Sequence, residues 1–342
     1  MSHKVALLGR RSDRTPLAYD PYQKWFESCF ELVSPAEANV FIFAMAFEIK
    51  VFFEQQPQLF TRLSSVSIWL VSEEPLWDTV WNRDNLRKPS YSIWVKGVEI
   101  KVNQISHFVR SPYEGLDLPY FLTTSNTFYH YYNLFFRKRL SQPLTFRNPS
   151  QGAGLLEFRT DPRNDVIDET GHLIGLSNHR VRLAQFLRQA GQFEIYGAGW
   201  SGKPLFTEKR RQDAFDFHLQ KLVTLESNYG FLLAIENTLQ NHYLSEKLFD
   251  ALAVGALPLY YANPEHDVFN IVPERGFVNL YGKALTDDII HELGSIDINS
   301  LKDRIYEGVR AVYPLFEDFT LVERTRQKVA AHISATLLDH LD

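Results

Sequence analysis

From Asn228 to Pro264 the chain reads NYGFLLAIENTLQNHYLSEKLFDALAVGALPLYYANP, and few structures suit such a run. Tyr229 to Ile235 is an apolar, aromatic run of strand length. From Leu244 to Val254 apolar residues recur every three to four positions, through Leu248, Ala251 and Leu252, which is a helix period. Gly255 stops that helix, and Ala256 to Tyr261 reads as a second buried strand. Pro258 counts against a central place for it, because proline cannot donate to a ladder. A strand, loop, helix and strand in this order imply a parallel pair joined by a crossover.

The loop and first helical turn hold Glu236, Asn237, Gln240, Asn241, Tyr243, Ser245, Glu246 and Lys247. Loops at the carboxyl ends of parallel strands face the ligand crevice. A helix N-terminus presents free N–H groups and partial positive charge to phosphate, and Lys247 adds a full charge. Glu246 would repel phosphate, but a carboxylate accepts protons from sugar hydroxyls. The combination suits a phosphorylated, hydroxyl-rich ligand such as a sugar nucleotide. An ordinary solvated helix start would also carry a Glu-Lys pair.

Upstream, Lys4–Leu8, Asn39–Phe43 and Val66–Val71 read as strands and Phe47–Gln56 as a helix, an alternation that predicts an α/β layer structure. The polar turn Ser72-Glu73-Glu74-Pro75 follows a strand end and so faces a crevice. A carboxylate there can take a proton from an attacking hydroxyl, or can simply be solvated. Ser141–Gly154, SQPLTFRNPSQGAG, has the composition of a linker, which puts a domain boundary near 150. Ser177 and Asn178 precede a helix with Arg180 and Arg182 near its start, and either arginine can fork two phosphate oxygens. Gly197-Ala198-Gly199-Trp200-Ser201-Gly202 fits G-x-G-x-x-G, but Lys203-Pro204 disfavours the helix that a dinucleotide fingerprint needs; a tight loop is expected. Glu208–Glu226 reads as a charged, exposed helix. Thr320–Leu341 reads as an amphipathic one on the domain surface, with Val329, Ile333, Leu337 and Leu341 on one stripe.

Ile235-Glu236-Asn237-Thr238 and Tyr243-Leu244-Ser245-Glu246-Lys247 together resemble the donor-site motif of the α-1,3/1,4-fucosyltransferases, glycosyltransferase family 10. That motif runs from an apolar strand through Phe-Glu-Asn-Ser/Thr, a polar loop and Tyr-Val/Ile-Thr-Glu-Lys into an apolar helix. Here Ile235 replaces Phe and Ser245 replaces Thr. The resemblance implies an α/β, GT-B-like fold: two Rossmann-like domains facing a cleft, residues 1–150 binding acceptor and 151–342 the nucleotide sugar. It implies an inverting glycosyltransferase that moves fucose from GDP-fucose to a glycan hydroxyl. Glu73 matches the family's base, with Glu74 as its neighbour. Arg182, following Ser177-Asn178, matches the arginine assigned to the donor phosphates, with Arg180 as the alternative. Asn237, Tyr243, Glu246 and Lys247 complete the donor site. No cofactor beyond the donor substrate is implied, and the lack of Asp-x-Asp gives no indication of a metal.

Composition sets outer bounds. At 342 residues with 45% hydrophobic and 14% aromatic content, two domains with ample cores are accommodated. A net charge of −5 argues against nucleic acid as a partner. The single cysteine, Cys29, permits no internal disulfide and fits a reducing compartment. No apolar run reaches membrane-span length, and the apolar core of the N-terminal MSHKVALLGRRSDR is too short for a signal peptide. The expectation is a cytoplasmic protein of the bacterial, soluble type, acting in glycan biosynthesis on protein or lipopolysaccharide; attachment to a membrane surface is compatible with it. A transferase for another nucleotide sugar and a non-catalytic nucleotide- or glycan-binding protein remain open.

Overall fold

The computed structural model describes residues 3–201 and 216–340. Its compact units are Met1–Asn126 with Thr320–Asp342, and Thr127–Phe319. The first contains β1 (His3–Leu8), β2 (Phe30–Leu32), β3 (Val40–Phe43), α1 (Ala46–Gln55), β4 (Ser67–Val71), α2 (Pro75–Trp81), β5 (Ser90–Val95) and β6 (Val98–Ile105). Sheet order is β2-β1-β3-β4-β6-β5, parallel except for the β5–β6 hairpin. The run VFIF and the IWLV of β4 are apolar throughout because both faces of this sheet are covered. On one face Phe41, Phe43 and Leu70 pack with Ile49 and Phe53 of α1.

The second unit begins with α3 (Asn126–Ser141), whose first residue ends the first unit. Then come β7 (Asn148–Leu155), α4 (Ser177–Gln189), β8 (Phe193–Tyr196), α5 (Phe217–Leu225), β9 (Tyr229–Leu233), α6 (Glu246–Val254), β10 (Leu257–Tyr260), β11 (Val278–Asn279) and α7 (Ile298–Val312). The sheet is fully parallel in the order β8-β7-β9-β10-β11. Successive connections run to opposite sides of the β7–β9 pair, so the topological switch point lies there, where doubly wound sheets bind ligands. Each unit is thus Rossmann-like, as the expected fold class requires.

The last helix, α8 (Phe319–Leu338), returns to the first unit. Val329, Ala330, Ile333 and Leu337 are buried against Val5, Val40, Ile42 and Trp69 on the other face of its sheet. The predicted stripe is therefore real, but it is core of the first unit and not the surface of the second. Leu341 lies outside the described residues. Among the described residues no helix is long and apolar enough to cross a membrane.

Three other expectations change. The second half of the stretch 141–154, read as linker, is β7, a strand paired on both sides. Its glycines serve close strand packing: a Cβ on Gly152 would sit 2.2 Å from the Phe193 ring. The units divide at 126/127 and 319/320 because Tyr132 and Phe136 of α3 pack with Phe249 of α6 and Phe316. Pro258 occupies a central strand. The carbonyl of its neighbour Leu259 faces β9, and that of Tyr260 faces the β11 side. The missing N–H of Pro258 thus points to the β11 side, below the two-residue ladder that starts at Leu259. Of the expected 208–226 helix, residues 208–215 lie outside the described residues, as do Gly202, Lys203 and Pro204. Within the described part Lys221, Leu222 and Leu225 are buried, not exposed.

Candidate active site

β9 delivers its chain to the switch point and stops before Glu236, whose side chain is 2% exposed. A buried carboxylate needs donors, and Glu236 has several. Oε1 accepts from the backbone N–H of Ser245 at 2.8 Å and its hydroxyl at 2.8 Å; Oε2 accepts from Lys247 Nζ at 3.0 Å. One carboxylate thereby closes the 236–247 loop and fixes the start of α6, whose N-cap Ser245 makes no side-chain cap to its own helix. Lys247 Nζ also donates to Ser245 Oγ at 2.7 Å and lies 3.5 Å from Glu246 Oε1. Burial, the largest influence, pulls the Lys247 ammonium down, but Glu236 and Glu246 outweigh it and hold it above its ordinary value. Burial pushes the Glu246 carboxyl up; Lys247 and Lys221 reverse that and hold it well below the usual carboxylate range. Glu246 Oε2 is buried with no hydrogen-bond partner among the described residues.

A second segment crosses the switch point from β7. Leu176 N donates to Asn237 O at 2.8 Å, Leu239 N to Ile174 O at 2.7 Å, and Gly175 bridges Thr238. These bonds zip the loop before α4 to the loop after β9. Asn237 thus joins the two loops through its backbone. Tyr243 is 2% exposed, its N–H on Gln240 O at 2.9 Å.

The two arginines of α4 part company. Arg180 is buried and aims Nη1 at Ile235 O, 3.5 Å away; its charge reaches Lys247 and opposes the ammonium there. Arg182 is half exposed and forks onto Asp165, Nη1 to Oδ2 at 3.0 Å and Nη2 to Oδ1 at 3.2 Å. Asn178 Nδ2 donates to the same carboxylate at 3.1 Å. Lys247 and Glu246 are brought together at the helix tip, with Arg180 as the cationic neighbour; the described contacts of Arg182 lead to Asp165 instead.

In the first unit Glu73 follows the end of β4 and is 2% exposed. Oε1 accepts from Arg14 Nε at 2.8 Å and Oε2 from Tyr120 OH at 2.8 Å. His107 Nε2 contacts its backbone carbonyl at 3.0 Å, and Tyr113 OH donates to Ser72 O at 3.1 Å. Burial first and the Glu73 charge second push the Tyr19, Tyr113 and Tyr120 phenols up, so they stay protonated donors. Glu74 is partly buried and 3.9 Å from Arg14.

Residues 171–315 match the model described as glycosyltransferase family 10 (fucosyltransferase), C-terminal region. That stretch, rather less than half of the chain, is similar to the C-terminal region of glycosyltransferase family 10. The family 10 match spans the helix tip, Arg180, Arg182, Asn237 and Tyr243, and leaves Glu73 outside it. No curated protein matches the sequence. Among solved structures, an α1,3-fucosyltransferase with GDP-fucose aligns over 96% of this chain and 90% of its own, at 14% identity and TM-score 0.46. A second α1,3-fucosyltransferase structure aligns over 90% and 81%, at 14% identity and TM-score 0.44. A UDP-forming α,α-trehalose-phosphate synthase from Burkholderia xenovorans aligns over 86% and 67%, at 8% identity and TM-score 0.33.

The sequence reading missed three parts of this arrangement: the clamp made by Glu236, the inward face of Arg180, and the Arg14–Tyr120 pair on Glu73. Glu236 carried a signal, since it stands inside the motif. Arg180 carried another, because it shares a helical stripe with Ser177, Ala184 and Leu187, all buried. Arg14 and Tyr120 are distant in sequence from Glu73 and carried none.

Proposed function

We propose that the protein transfers fucose from GDP-fucose to a glycan hydroxyl with inversion at the anomeric carbon. The observation that carries the reading is the cluster at the β7–β9 switch point: Lys247 beside the α6 tip, Arg180 facing it, and Glu246 with one open oxygen. Cations and helix N–H groups at one point suit a diphosphate, and they stabilise the charge that grows on it as the sugar leaves. A carboxylate oxygen beside them suits sugar hydroxyls. Arg180 and Lys247 then neutralise the leaving GDP, and Asn237, Tyr243 and Glu246 complete the donor site. Arg182, tied to Asp165, supports the α4 start instead of touching phosphate.

The first unit takes the acceptor in this reading, with Glu73 as the base. Its carboxylate sits between Arg14 and Tyr120, which orient it without filling all of its lone pairs. The enzyme works on a cytoplasmic nucleotide sugar, and no cofactor other than the donor enters the reaction. Isothermal titration with GDP, UDP and ADP, run beside a transfer assay with GDP-fucose, tests it. Tight binding of GDP alone and release of GDP on transfer are expected. Preference for UDP would move the protein to another donor; GDP binding with no transfer to any glycan would make it a binding protein.

A further inference from the structure

Besides Lys247, Glu246 has a second ammonium neighbour, one that the donor motif does not include. Lys221 of α5 is 8% exposed. Its Nζ lies 3.8 Å from Glu246 Oε1 and forms an ion pair with Asp250 Oδ2. Asp250 stands one helical turn beyond Glu246 on α6, so a single ammonium bridges two carboxylates on one face of that helix. Asp250 is 1% exposed and is itself fixed by His218 Nε2 at 2.6 Å and the Tyr132 hydroxyl at 2.7 Å, both on Oδ1. Tyr132 OH also reaches the Glu246 carbonyl at 3.2 Å. Charges alternate along this line, from Asp250 through Lys221, Glu246 and Lys247 to Glu236. Both ammonium contacts on Glu246 fall on Oε1, at 3.5 and 3.8 Å, which leaves Oε2 as the open acceptor.

We propose that Lys221, anchored by Asp250, is a positioning residue for the transferred sugar: with Lys247 it holds Oε1 of Glu246 so that Oε2 meets a sugar hydroxyl of the donor. The inference rests on the donor reading above and adds to it the group that sets sugar recognition apart from nucleotide recognition. Without Lys221, Oε1 keeps Lys247 as its one ammonium neighbour and the carboxylate turns toward it, so the sugar contact is lost. Lys247 stays bound to Glu236, so the diphosphate contact survives.

The test is calorimetric titration of the full chain with GDP and with GDP-fucose. It compares the wild type with Lys221→Met, Lys221→Arg and the double variant Lys221→Met/Asp250→Asn, which removes both buried charges together. Lys221→Met is expected to raise the ratio of the GDP-fucose Kd to the GDP Kd about tenfold, with GDP alone moving less than about twofold. The double variant should show the same selective loss, and Lys221→Arg should restore most of the ratio. An unchanged ratio in the variants, or equal weakening of both ligands, would make Lys221 a structural residue and overturn the proposal. Wild-type protein that binds neither ligand would instead defeat the donor reading itself.

Discussion

Arg180 and Arg182 differ by two positions, which on a helix with 3.6 residues per turn is about 200° of rotation. Only one of them can face β9, and it is Arg180. Arg180→Ala is expected to weaken GDP binding about 10–100-fold, the range for losing a charged hydrogen bond. Arg182→Ala removes a half-exposed ion pair and should cost less than about threefold. Calorimetric titration of both variants separates the roles; equal losses would defeat the assignment. Lys247→Ala should lose GDP affinity by a similar factor and also melt earlier, because Glu236 then stays buried without its cation. Glu73→Gln should lower turnover about 10²–10⁴-fold, as for other positioned bases, with GDP affinity unchanged; full turnover in it would pass the role to Glu74. These side chains were singled out in the sequence by residue type and spacing, and their proposed roles come from the resemblance to family 10. Which of two neighbouring arginines points inward was legible only from the buried stripe of α4, and the partners of Glu73 come from loops that no local pattern links to it.

Elements follow the same division. The strand–loop–helix–strand unit was legible almost to the residue, since period and a stop signal agree there. Gly255 ends α6 with φ of 80°, its N–H on the carbonyls of Ala251 and Leu252. A Cβ there would meet Leu144 Cδ2 at 2.9 Å. Gly255→Ala should therefore destabilise by roughly 1–2 kcal/mol from the left-handed backbone, plus the crowding, in chemical denaturation. β7 was illegible because small residues that let strands approach closely look like a flexible segment in composition. α2 carries a different signal. Asp78 in its first turn is buried; that burial, with Ser72 opposing and Glu74 assisting, raises its carboxyl to about 8. A raised folded value means its contribution to stability is full below the ordinary carboxylate range and is lost as pH climbs toward about 8. Asp78→Asn should gain on the wild type in Tm as pH rises from 5 to 8. A Tm gap that stays constant across that span would show Asp78 to be ionised in the fold.

At the scale of the molecule, the chain crosses from one unit to the other twice, at 126/127 and 319/320. Two α/β bodies were expected from the resemblance to family 10, with the alternation of strands and helices in the first half in agreement. The sequence did not reveal that α8 belongs with the first body, because an amphipathic stripe states that a face is buried and not what buries it. Val329, Ile333 and Leu337 are fully buried in the first unit, and each contributes about 1.5–3 kcal/mol by burial. Their sum is comparable with the whole stability of a typical domain, about 5–15 kcal/mol. Ile333→Ala should cost about 2–5 kcal/mol, and calorimetry should place that loss in a transition that GDP does not shift. The second unit has all of its strands in place by Asn279. A ribosome therefore finishes the second sheet while the body it made first still lacks a wall. Residues 1–126 wait, sticky on one side, for α8 to emerge, so removing that late helix would unfold the early body first.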